Sequence, residues 1–115
     1  MATMCLFCKI INRDIPASIV YEDDRILAFN DINPKAPTHV LIVPKRHIAT
    51  LSDLQLEDDA IVGEMVRRAA AIAGEKGFAQ SGFRTVFNTN AHAGQTVFHI
   101  HLHLLGGRTF AWPPG

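Results

Sequence analysis

Hydrophobic residues along this chain follow two spacings, and the spacing changes from segment to segment. Between residues 57 and 75 they recur at helical intervals: Ile61, Met65, Ala69 and Ile72, joined by Val62, Val66 and Ala73. Glu57, Asp58 and Asp59 open this stretch, where a helix dipole favours negative charge, and Gly77 stands at a C-terminal cap position. The stripe predicts one long helix. Its apolar band is wide and includes the small residues Ala69, Ala70 and Ala73. Either one face packs on a sheet and another on a second subunit, or the whole band faces the home core. Residues 18–22 and 25–30, parted by Asp23-Asp24, read as a hairpin rich in β-branched and aromatic side chains. After a loop punctuated by Pro34 and Pro37, residues 38–43 form a strongly apolar strand ended by Pro44. Residues 82–88 and 97–105 add two strands around the polar loop 89–95, and Gly106-Gly107 breaks the last. A short helix over residues 5–12 comes first, and Pro16 disfavours helix at the residue before it. Five short strands, one short and one long helix and hairpin-like connections predict an α+β fold with an antiparallel sheet. At 115 residues the chain is one domain, residues 1–115.

The last strand carries the strongest chemical signal. It reads Phe98-His99-Ile100-His101-Leu102-His103-Leu104-Leu105. Successive side chains of a strand point to opposite faces. His99, His101 and His103 then share one face, and Phe98, Ile100, Leu102 and Leu104 share the other. Imidazole suits proton transfer or nucleophilic attack near neutral pH. Three readings stand at this point: catalysis, a metal site, or a solvated face that happens to be rich in histidine. Convergence of all three rings on one ion is strained, because the outer Cα atoms lie roughly 13–14 Å apart at ~3.4 Å per residue.

Charge narrows the partners. Eleven Lys and Arg balance eleven Asp and Glu, for a formal net charge of zero. That excludes wrapping nucleic acid by a basic surface and docking on an anionic membrane, so any nucleotide bound here is a small one. No run approaches the ~20 apolar residues of a membrane span, and the N-terminus lacks the positive n-region of a signal peptide. The expected location is the cytoplasm. In that reducing compartment Cys5 and Cys8, the two cysteines of the chain, are not expected to form a structural disulfide. A Cys-x-x-Cys pair is redox-active, half of a zinc site, or two small buried hydrophobes. No strand precedes this one, as a redox motif would require. His92 reads as a solvated loop residue, and Lys45 and Arg46 as a solvated turn rather than a phosphate clamp.

The His-x-His-x-His run resembles the defining motif of the histidine-triad (HIT) superfamily of nucleotidyl hydrolases and transferases. The likeness extends nearly end to end. Cys5-Leu-Phe-Cys-Lys-Ile-Ile11, Ile15-Pro16-Ala17, Tyr21-Glu22-Asp23-Asp24 and Asp31-Ile32-Asn33-Pro34-Lys35-Ala36-Pro37-Thr38-His39 all look like its nucleotide-binding Hint branch. So do Val43-Pro44-Lys45-Arg46-His47, Gly94-Gln95 before the triad, and the ending Gly106-Gly107-Arg108 through Trp112-Pro113-Pro114-Gly115. The resemblance implies a HIT-like fold whose five-stranded sheet joins that of a partner into ten strands across a homodimer. It implies hydrolysis of the P–N bond of purine nucleoside phosphoramidates, AMP or GMP joined to an amine or lysine, through a nucleotidyl-histidine intermediate. It implies no organic cofactor.

Residue by residue, the resemblance makes His101 the nucleophile, oriented by the backbone carbonyl of His99. A proton on Nδ1 donated to that carbonyl leaves Nε2 free to attack. His103 matches the residue beside the scissile bond, and His39 a histidine behind the nucleophile. Thr96 stands where many relatives have serine, and its hydroxyl completes the catalytic set. Gln95 and Asn88 match phosphate or ribose contacts, Asp31 the carboxylate that accepts the ribose hydroxyls, and Leu6, Phe7, Phe29 and Ile32 the walls around the base. Trp112 matches a tail residue placed beside the partner's active site. Some relatives hold a structural zinc, and this chain has the four matching ligands: Cys5, Cys8, His47 and His99, one zinc per subunit. Asn30 replaces a histidine common beside the ribose-binding aspartate, Phe98 a common tyrosine, and the loop 89–93 is not the usual sequence. Two other readings share many of these residues: a dinucleoside polyphosphate hydrolase, and a zinc-stabilised nucleotide-binding or scaffold module with little catalysis.

An apolar edge strand is an aggregation risk that pairing with its own copy removes. The expected dimer is therefore joined by the strand 82–88 and by the long helix through Met65, Ala69 and Ile72.

Overall fold

The computed structural model of this chain describes residues 5–115. Met1–Met4, the start of the segment expected to lack a signal peptide, lie outside the described residues. The elements are α1 (Leu6–Ile11), β1 (Ile19–Glu22), β2 (Ile26–Asn30), β3 (Thr38–Pro44), α2 (Asp59–Lys76), β4 (Phe83–Val86) and β5 (Leu102–Gly106). Short 3-10 turns occupy Leu51–Asp53, Leu56–Asp58 and Ala91–Ala93. The sheet has the order β1-β2-β3-β5-β4, and every neighbouring pair is antiparallel. The expected α+β class and five-stranded antiparallel sheet are both present. Among the described residues no helix is long and apolar enough to cross a membrane.

The two helices cover opposite faces of this sheet. Ile26 and Ala28 of β2, Val40 and Ile42 of β3, and Leu102 and Leu104 of β5 pack with Met65, Ala69, Ile72 and Ala73 of α2. Leu27, Phe29, Leu41 and Val43 point the other way and pack with Phe7 and Ile10 of α1. That is why β2 and β3 read as unbroken apolar runs: both faces of each are buried. β5 keeps the half-buried alternation, with His103 on the α1 side. Gly77 closes α2 in the left-handed conformation at φ +91, and its N–H reaches the Ala73 and Gly74 carbonyls. At Gly106 a side chain is excluded by contact, because a Cβ there would sit 2.3–2.6 Å from ring atoms of Phe78.

Two expectations need correction. Met65, Ala69 and Ile72 do not form an intersubunit face: they are 0%, 0% and 1% exposed within their own core. Of the two open readings of the helix stripe, the home-core one describes them. The large apolar residue of α2 left open is Val66, 48% exposed. The histidine strand is also shorter than expected. Pairing begins at Leu102, while residues 97–99 form a bend and 100–101 lack ladder partners. Ile100 still reaches the core at 2% exposure, but Phe98 sits on the bend, 48% exposed, rather than on the core face. Likewise the strand expected over 82–88 pairs only at Phe83–Val86, and α2 begins at Asp59 after a 3-10 turn. That turn is closed by Asp58, which is 1% exposed, accepts the Gln55 N–H at 2.8 Å and pairs with Arg46.

Candidate active site

The α1 side of the sheet gathers five of the six histidines. His39 leaves β3, His103 leaves β5, His99 and His101 come from the segment before β5, and His47 follows β3. His92 stands apart in the exposed turn at Ala91–Ala93, as expected. An apolar cleft of about 290 Å³ opens beside them. Leu6, Phe7, Phe29 and Ile32 line it as expected, with Asp31, Thr96, His101 and His103 at its polar end. A polar groove of about 460 Å³ continues past His103, with Lys35, Asn33 and Asn88 on its walls. Asp31, Thr96 and His103 line both spaces, so they mark the junction where a reacting group would sit.

His101 is held by one bond. Its Nδ1 lies 2.8 Å from the His99 carbonyl oxygen, so Nδ1 carries the proton and donates it. Nε2 is then the unprotonated atom, with a lone pair available to an electrophile. Phe7 packs edge-on against the ring, centroids 5.0 Å apart at 83°. Burial lowers the basicity of His101, opposed by the His99 carbonyl and the Asp31 charge, so the ring is neutral at physiological pH.

His39 and His103 form a directed chain. The Lys35 backbone N–H donates to His39 Nδ1 at 3.0 Å, which puts the proton of neutral His39 on Nε2. That Nε2 lies 2.9 Å from His103 Nδ1 and 3.4 Å from Asp31 Oδ2. It therefore donates to His103 Nδ1, and neutral His103 then carries its own proton on Nε2. Burial, then the neighbouring His101 and His39 rings, push His103 down to about 4, so it is neutral above that pH. Burial also lowers His39; Asp31 opposes the shift and Lys35 adds to it.

A second cluster lies behind His101. Cys5 Sγ lies 3.4 Å and Cys8 Sγ 3.6 Å from His99 Nδ1. Cys8 Sγ is 3.4 Å from His47 Nδ1, and the two Nδ1 atoms are 3.1 Å apart. His99 Nε2 donates to the Pro44 carbonyl at 2.8 Å, which turns the Nδ1 lone pair inward. Burial and the Cys5 thiol push Cys8 up to about 11. Two sulfurs and two ring nitrogens at such separations suit a cation that would hold the thiols as thiolates, and these four residues can bind a metal ion. Asp31, His39 and His103 also bring donor atoms within 4.8 Å of one another. There the tautomers differ: the Lys35 N–H fixes the His39 proton on Nε2, so that group is a hydrogen-bonded chain rather than a ligand set.

Two expected site residues stand elsewhere. Gln95 is 6% exposed and its amide is engaged with backbone. Its Oε1 accepts the Asn90 N–H at 2.8 Å, and its Nε2 donates to the Ala49 and Val97 carbonyls at 2.8 and 3.1 Å. It braces the bend before the triad instead of reaching phosphate. Trp112 is 81% exposed and lines neither space in its own subunit. Sequence reasoning missed the cleft wall formed by Ile15, Pro16 and Ala17. The Ile-Pro-Ala signal was visible, but its position across from Phe29 was not. Asn30, which donates to Ser18 Oγ at 2.9 Å, also lines the cleft.

Comparison with known proteins agrees with this geometry. Residues 4–109 match the family model described as scavenger mRNA decapping enzyme C-term binding. An uncharacterized HIT-like protein of Synechocystis is 53% identical over 115 residues, covering all of both chains. The crystal structure of a HIT family hydrolase from Legionella pneumophila superposes with a TM-score of 0.95 at 54% identity, over 96% of this chain and 99% of that one. The chain belongs to the histidine-triad (HIT) family. Within that family it is 52% identical to the purine nucleoside phosphoramidase of Escherichia coli K12 over 108 residues, 94% of this chain and 91% of that protein.

Proposed function

We propose that this protein is a purine nucleoside phosphoramidase that cleaves the P–N bond of AMP- or GMP-amine conjugates. The observation that carries the reading is the locked tautomer of His101: Nδ1–H on the His99 carbonyl at 2.8 Å, and Nε2 bordering a cleft of nucleotide dimensions. The base lies among Leu6, Phe7, Phe29 and Ile32, and the ribose hydroxyls bond the Asp31 carboxylate. The α-phosphorus then sits at the junction by Thr96 and His103, with the amine in the polar groove. His101 Nε2 attacks phosphorus as the P–N bond breaks. The departing amine takes a proton from water in the polar groove, while His103 keeps its Nε2–H toward the phosphate and His39 keeps its Nε2–H on His103 Nδ1. The hydroxide left by that water then attacks the nucleotidyl-His101 phosphorus as the bond from phosphorus to His101 Nε2 breaks, and the nucleotide leaves. The test is steady-state kinetics on a panel of amine- and lysine-linked adenosine and guanosine phosphoramidates beside a diadenosine polyphosphate. Preference for the phosphoramidates by an order of magnitude or more in kcat/KM is the expected result. The reverse preference would assign the dinucleoside polyphosphate activity instead. No turnover of any of them, with AMP bound, would leave a binding module.

Zinc is the metal that best fits the Cys5, Cys8, His47 and His99 donors, one per subunit. Around a tetrahedral zinc with Zn–S of ~2.3 Å and Zn–N of ~2.0–2.1 Å, sulfur–nitrogen edges are about 3.5 Å and nitrogen–nitrogen edges about 3.3 Å. The edges in the structure, 3.4, 3.4, 3.6 and 3.1 Å, lie within a few tenths of those values. A Cys2His2 set is coordinatively closed, so when bound the ion clamps α1 to the sheet and supplies no step of the reaction. The free Cys5 and Cys8 thiols support a cytoplasmic location, and two cores on one sheet support a single domain spanning residues 1–115.

A homodimer completes the reading. β4 is an edge strand paired only with β5, whereas the other edge, β1, is broken by a register shift between Ile19 and Tyr21. Pairing β4 with its copy gives ten strands, with Val66 rather than Met65, Ala69 or Ile72 on the adjoining helix face. The tail through Trp112 then reaches the partner's polar groove. Deleting residues from Ala111 onward is expected to change kcat/KM several-fold among different amines while AMP affinity holds. A monomer at micromolar concentration in sedimentation would refute the dimer, and an equal effect on every amine would refute the role of the tail.

A further inference from the structure

We infer that the Cys5, Cys8, His47 and His99 cluster positions the nucleotide site, so that metal and nucleotide each strengthen the binding of the other. The inference rests on the nucleotide and zinc readings above. Three connections join the two sites.

The first is α1. Cys5, its N-cap, and Cys8, in its first turn, face the cluster, while Leu6, Phe7 and Ile10 of the same helix line the cleft. A helix of six residues is far too short to persist alone. Its place depends on what it is tied to, and the cluster ties it to β3 through Pro44 and to the segment before β5.

The second is His99. Its ring is fixed at both nitrogens, Nε2 on the Pro44 carbonyl and Nδ1 among the sulfurs. Its own carbonyl accepts from His101 Nδ1 at 2.8 Å. Residues 97–99 form a bend without ladder bonds, and the peptide that carries that carbonyl is held by the Ile100 N–H on the Ile48 carbonyl at 2.7 Å. The His99 ring anchors the same residue from its other side, so the backbone bond and the ring together set the tautomer and aim of the nucleophile.

The third is Phe7, which contacts a ring of each site edge-on: His99 at 6.0 Å and 73°, His101 at 5.0 Å and 83°. A shift of α1 therefore moves the base wall and the nucleophile together. Cys5, Cys8 and His99 act as positioning residues for the reaction, and the coupling is reciprocal by thermodynamic linkage.

The experiment measures both directions. AMP affinity is determined by calorimetry on zinc-loaded and chelator-stripped wild-type protein, with circular dichroism reporting the fold of each. Zinc affinity is determined by equilibrium partition against a chromophoric chelator, with and without saturating AMP, and inorganic phosphate is the control. The expected result is about ten-fold weaker AMP binding to the stripped protein and about ten-fold tighter zinc with AMP, the two factors agreeing. Ile72→Val, in the core away from both sites, lowers the melting temperature and should leave the factor intact. Phe7→Leu should reduce it while zinc stoichiometry stays at one. If stripping unfolds the protein, the partition measurement on the native protein decides alone. Zinc affinity indifferent to AMP overturns the coupling and leaves the zinc reading standing. Loss of the factor in Ile72→Val overturns it too, since the effect would then be global stability. A wild type that binds AMP but no zinc removes the zinc reading and this inference with it, and a zinc-loaded protein that fails to bind AMP removes the nucleotide reading.

Discussion

His101→Ala is expected to lower turnover by about three orders of magnitude, equivalent to ~4 kcal/mol of transition-state stabilisation, while AMP still binds. The variant loses the one imidazole whose lone pair borders the base cleft and the phosphate junction together. Its neighbours cannot replace it. His103 presents a protonated Nε2, because its Nδ1 accepts from His39 at 2.9 Å. His99 is 0% exposed, and both of its ring nitrogens are engaged. Binding is spared because the base wall and Asp31 lie on other elements. The edge contact of His101 with Phe7 also goes, at a cost of about 0.5–1.5 kcal/mol of stability. Single-turnover kinetics and calorimetry on the same preparation make the test, and a variant that retained more than about a tenth of wild-type kcat would show that another group attacks phosphorus.

Cys5→Ser is expected to reduce zinc to well below one per subunit and to lower the melting temperature by about 10 °C. Metal binding to a set of ligands that exists only in the folded chain is folding free energy, and a loss of ~2–3 kcal/mol moves a domain of this size by roughly that amount. Serine isolates the metal term. Cys5 Sγ accepts the Cys8 N–H at 3.4 Å as the N-cap of α1, and a serine hydroxyl performs that capping at least as well. The variant keeps the cap and loses a thiolate. His101 is not a ligand, so measurable turnover should persist, with the loss appearing in KM more than in kcat. Elemental analysis and thermal unfolding decide it, and a metal-free wild type or an unchanged melting temperature would refute the assignment.

Much of the fold could be read from the order of side chains. The wide stripe over residues 57–75 predicts α2 and its buried residues because a helix burying one side in a single core must repeat at three and four. The alternation around Ile100, Leu102 and Leu104 likewise predicts a core face. It fails at Phe98, because alternation presumes a continuous strand, and the chain bends at 97–99 to bring the His99 ring under Pro44. The expected intersubunit role of Met65, Ala69 and Ile72 fails for a related reason: hydrophobicity marks them as buried without saying against what. In the candidate site, the triad and the cysteine pair are conspicuous in the sequence. The join between Cys5 and His99, 94 positions apart at 3.4 Å, is long-range packing that no local spacing encodes. Least legible were contacts made by backbone, the Lys35 N–H on His39 and the backbone groups that engage Gln95, whereas the His99 carbonyl under His101 was expected from the family resemblance alone. Residue identity says nothing about where such groups point.

The Lys35 N–H has a consequence for life among competing metal ions. A cell supplies zinc and copper to any imidazole that offers a bare nitrogen, and a hydrolase with five clustered histidines is exposed to mis-metallation. The protein sorts its rings by which nitrogen the backbone occupies. At His99 a carbonyl takes the Nε2 proton and leaves Nδ1 bare toward two sulfurs. At His39 an N–H takes Nδ1 and leaves only a protonated nitrogen toward Asp31 and His103. Two peptide groups, an acceptor at Pro44 and a donor at Lys35, would thus direct a metal to the Cys5–Cys8 cluster and away from His39.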